Sequence, residues 1–214
     1  MTAKGKETLA PALAGIIVAA ALWFVMFSPW TAPRISFWWT MTGSAIFLTA
    51  FASLFCKEWI KDVRIDLKAT GSGIGVAAVL WGVFWAGGKV SCKLFDFARP
   101  QLDLIYDMKE GVSPALVAVL LLCVIGPAEE IFWRGFVQRR LMQRLGPDTG
   151  FLAATAAYSL IHIWSFNFML VMAALVIGFL WGLLYRLRPG QLFPLILSHA
   201  LWDVAAFVLL PFPF

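Results

Sequence analysis

Residues 114–135 read PALVAVLLLCVIGPAEEIFWRG. Ser113 ahead of Pro114 supplies a helix N-cap followed by proline at the first helical position, and an unbroken apolar run to Cys123 follows. A helix needs about 20 apolar residues to cross roughly 30 Å of hydrocarbon, so this stretch reads as a membrane span. Yet it carries Glu129, Glu130 and Arg134 near one end. Each charge at bilayer depth costs about 2.5 to 3.5 kcal/mol on insertion scales, and each therefore needs a partner or a job. Glu130 and Arg134 stand four apart on one helix face and can pair. Glu129 is rotated by about 100° from Glu130, which leaves it for a partner on another helix.

Working outward, six more apolar blocks lie at 9–28, 36–56, 72–92, 150–165, 168–185 and 191–210. Together with 114–136 they predict an all-α, polytopic transmembrane bundle of about seven spans, one domain over 1–214. Composition agrees: of the 214 residues 61% are hydrophobic and 14% charged, against about 25% charged in an ordinary soluble domain. The net charge of +5 does not point to nucleic acid, because Lys and Arg sit between the apolar blocks and form no continuous basic face. Lys4 and Lys6 precede a first block too long for a cleaved signal, which is read as a retained span.

With the N-terminus in the cytoplasm, the inside segments hold Lys4, Lys6, Lys57, Lys61, Arg64, Lys68, Arg139, Arg140, Arg144, Arg186 and Arg188. The outside segments hold only Arg34, Lys89, Lys93, Arg99 and Lys109. The excess of eleven over five sets that orientation by the positive-inside rule and places the C-terminus outside. Segment 57–68 has Trp59, Ile60, Val63 and Leu67 at helical spacing among charges, as an interfacial helix or a solvated loop. Gly178 and Gly182 form a small-xxx-small pair suited to close helix packing. Cys56, Cys92 and Cys123 lack metal-type spacing and are assigned to packing.

The chain has two histidines, and both fall in predicted spans: His162 in the fifth, His199 in the seventh with Asp203 four residues on. Alone, each reads as a packing residue. Together with the Glu-Glu pair they predict one shared polar site. Glu129 and His199 each lie about 13 to 15 Å from the cytoplasmic boundary, whereas His162 at roughly 21 Å requires its helix to tilt or to begin outside the membrane.

The order Glu129-Glu130-x-x-x-Arg134, then Tyr158-x-x-x-His162, then His199-x-x-x-Asp203 resembles the CPBP family of CAAX proteases and bacteriocin-processing enzymes over residues 114–205. Tyr158 stands where Phe is usual, and Asp203 where the prenyl-protein branch has Asn. The resemblance implies an intramembrane endopeptidase with a four-helix catalytic core in 114–205, acting on a membrane-associated protein or peptide in the bilayer, in a bacterial inner membrane. It implies that Glu129 activates water, that His162 and His199 surround that water, that Asp203 supports them, and that Glu130 and Arg134 are structural.

The same Glu129, His162 and His199, with Asp203, leave a zinc site open. A metal-free glutamate mechanism is preferred and no cofactor is favoured. Two rivals remain. One is a non-enzymatic transporter or bacteriocin-immunity protein that uses the buried polar residues as an ion path, although no inverted repeat supports it. The other is a sorting protease that trims C-terminal anchor signals. No Gly-x-Ser-x-Gly elbow competes.

Overall fold

The computed structural model describes residues 8–212. Lys4 and Lys6, used above for orientation, lie outside them. Among the described residues the chain is helical throughout, with no strand. The helices are α1 (Ala10–Phe27), α2 (Phe37–Phe55), the single-turn α3 (Trp59–Asp62), α4 (Leu67–Leu94), α5 (Ala98–Asp107), the long α6 (Pro114–Leu145), α7 (Pro147–Leu160), α8 (Phe168–Leu187) and α9 (Phe193–Leu209).

Five of these, α1, α2, α4, α6 and α8, are long and apolar enough to cross a membrane, where seven spans were expected. The fifth and seventh expected spans are the shorter α7 and α9. Helix α7 gives way after Leu160 to a 3-10 turn over Ile161–Ser165, stopped by Phe166 in a left-handed conformation at φ 50°. Helix α9 pairs with α4 and crosses α6. Two further differences are local. Asp66 caps α4 by accepting from the Ala69 N–H at 2.8 Å, so that helix begins at Leu67 and the interfacial segment shrinks to α3. Helix α5, inside the expected loop 93–113, buries only Ala98 and Ile105.

Charged residues tie one end of the bundle together. Arg139 on α6 pairs with Asp62 on α3, Arg140 donates to the Phe55 carbonyl at 2.9 Å, and the Leu192 N–H donates to the Asp62 carbonyl at 3.0 Å. At the same end Arg186 donates to Asp148 at 2.7 Å, and the guanidinium beside it holds that carboxyl below the usual carboxylate range. At the opposite end α5 closes over the bundle. Tyr106 donates to the Ala206 carbonyl at 3.2 Å, Lys109 to that of Phe207 at 2.6 Å, and Trp38 to that of Met108 at 2.9 Å.

Glycines set the closest approaches. A Cβ on Gly178 would stand 2.9 Å from the Tyr158 ring, and one on Gly182 3.0 Å from Phe151, so the small pair of α8 does admit α7, as its spacing predicted. Cys56 is buried, whereas Cys123 faces outward and does not pack inside the bundle.

Candidate active site

Helix α6 is not a regular α-helix where its acids sit. Gly126–Glu130 is flanked by π-helical stretches over Leu121–Ile125 and Ile131–Gln138. Pro127 has no N–H to give an α-helical bond, and a wider turn accommodates that loss. A Cβ at Gly126 would stand 3.0 Å from the Ala200 Cα, so the backbones of α6 and α9 approach closely at this point. That approach brings Glu130 to His199.

Glu130 is fully buried and Arg134 nearly so. Arg134 Nη1 donates to Glu130 Oε1 at 2.8 Å, the ion pair expected from their spacing. The same oxygen accepts from His199 Nδ1 at 2.7 Å. A carboxylate can only accept, so Nδ1 carries the proton and Nε2 is the free end of the ring. Nε2 lies 3.5 Å from Asp203 Oδ2, too far for a good hydrogen bond. Asp203 stands beside the ring as its i, i+4 spacing from His199 predicts, while Glu130 on the neighbouring helix grips the other nitrogen. Trp181 stacks on the His199 ring with centroids 4.0 Å apart.

Glu129 points elsewhere, as its rotation from Glu130 requires. Its Oε2 accepts from the Tyr158 hydroxyl at 3.1 Å. The ring of Tyr158 lies against the Arg134 guanidinium at 4.8 Å. Tyr158 was quoted above only as a departure from Phe, and its hydroxyl is the partner from another helix that Glu129 called for.

His162 sits in the 3-10 turn that ends α7. Its ring is engaged at both nitrogens. Nδ1 lies 2.9 Å from the Tyr158 carbonyl, and Trp23 Nε1 on α1 donates to Nε2 at 3.1 Å.

Glu129, His162, His199 and Asp203 all stand on the wall of one cavity of about 550 Å³, whose remaining wall is almost entirely apolar and aromatic. Glu130 and Arg134 lie behind it. Among the described residues no three of His, Cys, Asp and Glu are placed to hold a metal ion together. Neither nitrogen of His162 is free, whereas His199, held by Glu130 at Nδ1, keeps Nε2 towards the cavity. As arranged, His162 offers no ligand nitrogen, and a three-residue zinc set is not assembled among the described residues.

Sequence reasoning missed Trp23, the Glu130 to His199 contact and the stacking of Trp181. The Tyr158 hydroxyl was findable as a polar atom one turn before His162. Trp23 carries no such signal, being one of eleven tryptophans. No curated protein and no solved structure matches the chain. The segment bearing the cluster, residues 111–205, matches the family model of the Type II CAAX prenyl endopeptidase Rce1-like proteins, which bears out the resemblance read from the three motifs.

Proposed function

We propose that the protein is an intramembrane endopeptidase that hydrolyses a peptide bond of a membrane-associated polypeptide with water activated by Glu129. The observation that carries this reading is the pairing of a cavity-facing Glu129 with a second glutamate buried behind it, which holds His199 at the same wall. Amide hydrolysis needs a base for water and a donor for the developing oxyanion. Glu129 serves as the base. His199, held by Glu130 at Nδ1 with Nε2 towards the cavity beside Asp203, serves as that donor in its imidazolium form, in which both ring nitrogens carry a proton. The apolar remainder of the cavity suits a hydrophobic segment or a lipid-modified tail.

The mechanism we favour needs no metal, in keeping with the engaged ring nitrogens of His162. The orientation we favour puts the ends bearing Lys57, Lys61, Arg64 and Lys68, Arg139, Arg140 and Arg144, and Arg186 and Arg188 in the cytoplasm.

The test uses purified full-length protein, two internally quenched peptides (one with a farnesylated C-terminal CAAX box, one with an unmodified apolar anchor) and mass spectrometry of the products. Wild-type protein is expected to cleave one of them in the presence of chelator, while Glu129→Gln accumulates normally and cleaves neither. Full activity of Glu129→Gln at equal protein level removes the base. Activity lost to chelator and restored by zinc overturns the metal-free mechanism.

A further inference from the structure

We infer that Trp23, on α1 and outside the family-matched segment, is a positioning residue that fixes the tautomer and angle of His162. A backbone carbonyl can only accept, so the contact between Nδ1 and the Tyr158 carbonyl puts the proton on Nδ1. An indole N–H can only donate, so Trp23 Nε1, at 3.1 Å, requires a bare Nε2 lone pair. The two contacts are mutually consistent and select one neutral form of the ring, Nδ1–H with Nε2 as acceptor. In this arrangement His162 has no proton to offer an oxyanion, and its one acceptor lone pair is taken by Trp23.

The surroundings leave the ring little freedom. The indole meets the imidazole edge-on, with centroids 5.9 Å apart at 81°, while Phe27 at 5.8 Å and Tyr158 at 5.4 Å border it as well. Trp23 is itself 1% exposed, so its N–H does not swing out to water. A buried donor of this kind costs free energy when left unmade, which favours keeping the contact. Both rings also line the cavity, so the contact sits where substrate arrives. Trp23 does not contact the proposed nucleophilic water. It acts through His162, by holding that ring in one tautomer and one orientation at the cavity wall.

For its effect on rate this inference rests on the endopeptidase reading, but its ring chemistry does not. With two histidines in the chain, ¹⁵N-histidine labelling of the full-length protein in detergent gives two rings, and His162→Gln identifies one by its loss. His162 is expected to show a proton on Nδ1, none on Nε2, and an Nε2 resonance moved by an accepted hydrogen bond. Replacing Trp23 with its sulfur isostere benzothienylalanine keeps the shape and deletes the N–H. The Nε2 resonance of His162 should then move to that of an unbonded nitrogen, a second tautomer should appear, and His199 should stay put. Trp23→Phe should give the same direction of change. Where a peptide is cleaved, the isostere should lower kcat by about tenfold with KM unchanged. An Nε2–H tautomer in wild-type protein, or a His162 spectrum untouched by the isostere, overturns the inference whether or not the chain proves to be a protease.

Discussion

Glu130 Oε1 serves two neighbours at once, Arg134 at 2.8 Å and His199 at 2.7 Å, so removing this carboxylate does two kinds of damage. It leaves the Arg134 charge buried without its partner, typically a loss of about 3 to 5 kcal/mol. It also frees His199 to turn. Glu130→Ala and Arg134→Ala are both expected to lower the yield of folded protein, measured by fluorescence-detected size exclusion. In whatever folded Glu130→Ala survives, activity should fall further than in Arg134→Ala at equal protein. Tyr158→Phe deletes one donor to Glu129 and keeps the ring against Arg134, so it should accumulate normally and lose no more than about tenfold in kcat/KM, the worth of one hydrogen bond. Asp203→Asn keeps the shape beside His199 Nε2 and should retain measurable cleavage, since the 3.5 Å separation shows no strong bond to lose. Complete loss of activity there, at a normal level of protein, would give the carboxylate a strict role. The Glu130 and Arg134 pair was legible because both ends lie on one helix, where spacing alone gives the face. The contacts of His199 with Glu130 and of His162 with Trp23 join residues 69 and 139 positions apart, and no spacing rule reaches across helices.

At the scale of elements, the crossing of α6 and α9 at Gly126 decides whether the site assembles. Gly126→Ala places a methyl 3.0 Å from the Ala200 Cα, against backbone that cannot swing aside, and overpacking of this sort costs about 1 to 3 kcal/mol. The expected result is a lower thermal midpoint in detergent and a loss of activity larger than the loss of folded protein, because the same shift separates Glu130 from His199. An unchanged midpoint and an unchanged rate would show that the crossing is looser than the structure has it. The long spans were legible from apolar length, and the ends of α1 and α2 fall within about one residue of their expected places. The π-helical turns around Glu129 and Glu130 were not, since regular α geometry was assumed and Pro127 alone does not say how its missing bond is absorbed. Helix α5 escaped notice for a different reason. Its Arg99 and Asp103 pair with each other at 2.9 Å on the solvent face, so its charges read as loop.

Across the whole molecule the cavity is displaced towards one end. Its wall draws on Phe37 and Trp38 at the start of α2, Phe95 just beyond α4, Tyr106 of α5, Met169 at the start of α8 and Phe212 beyond α9. The cationic segments that tie the bundle through Asp62 lie at the other end. In the orientation favoured above, a cysteine at Glu110 is labelled by a membrane-impermeant maleimide in intact bacterial cells, whereas one at Lys61 reacts only after permeabilisation. The reverse pattern turns the bundle over. On the orientation and activity proposed above, a cavity on that side would set an order of events: a chain still in the cytoplasm could not present its scissile bond, so cleavage would follow translocation and its timing would be governed by export rather than by synthesis.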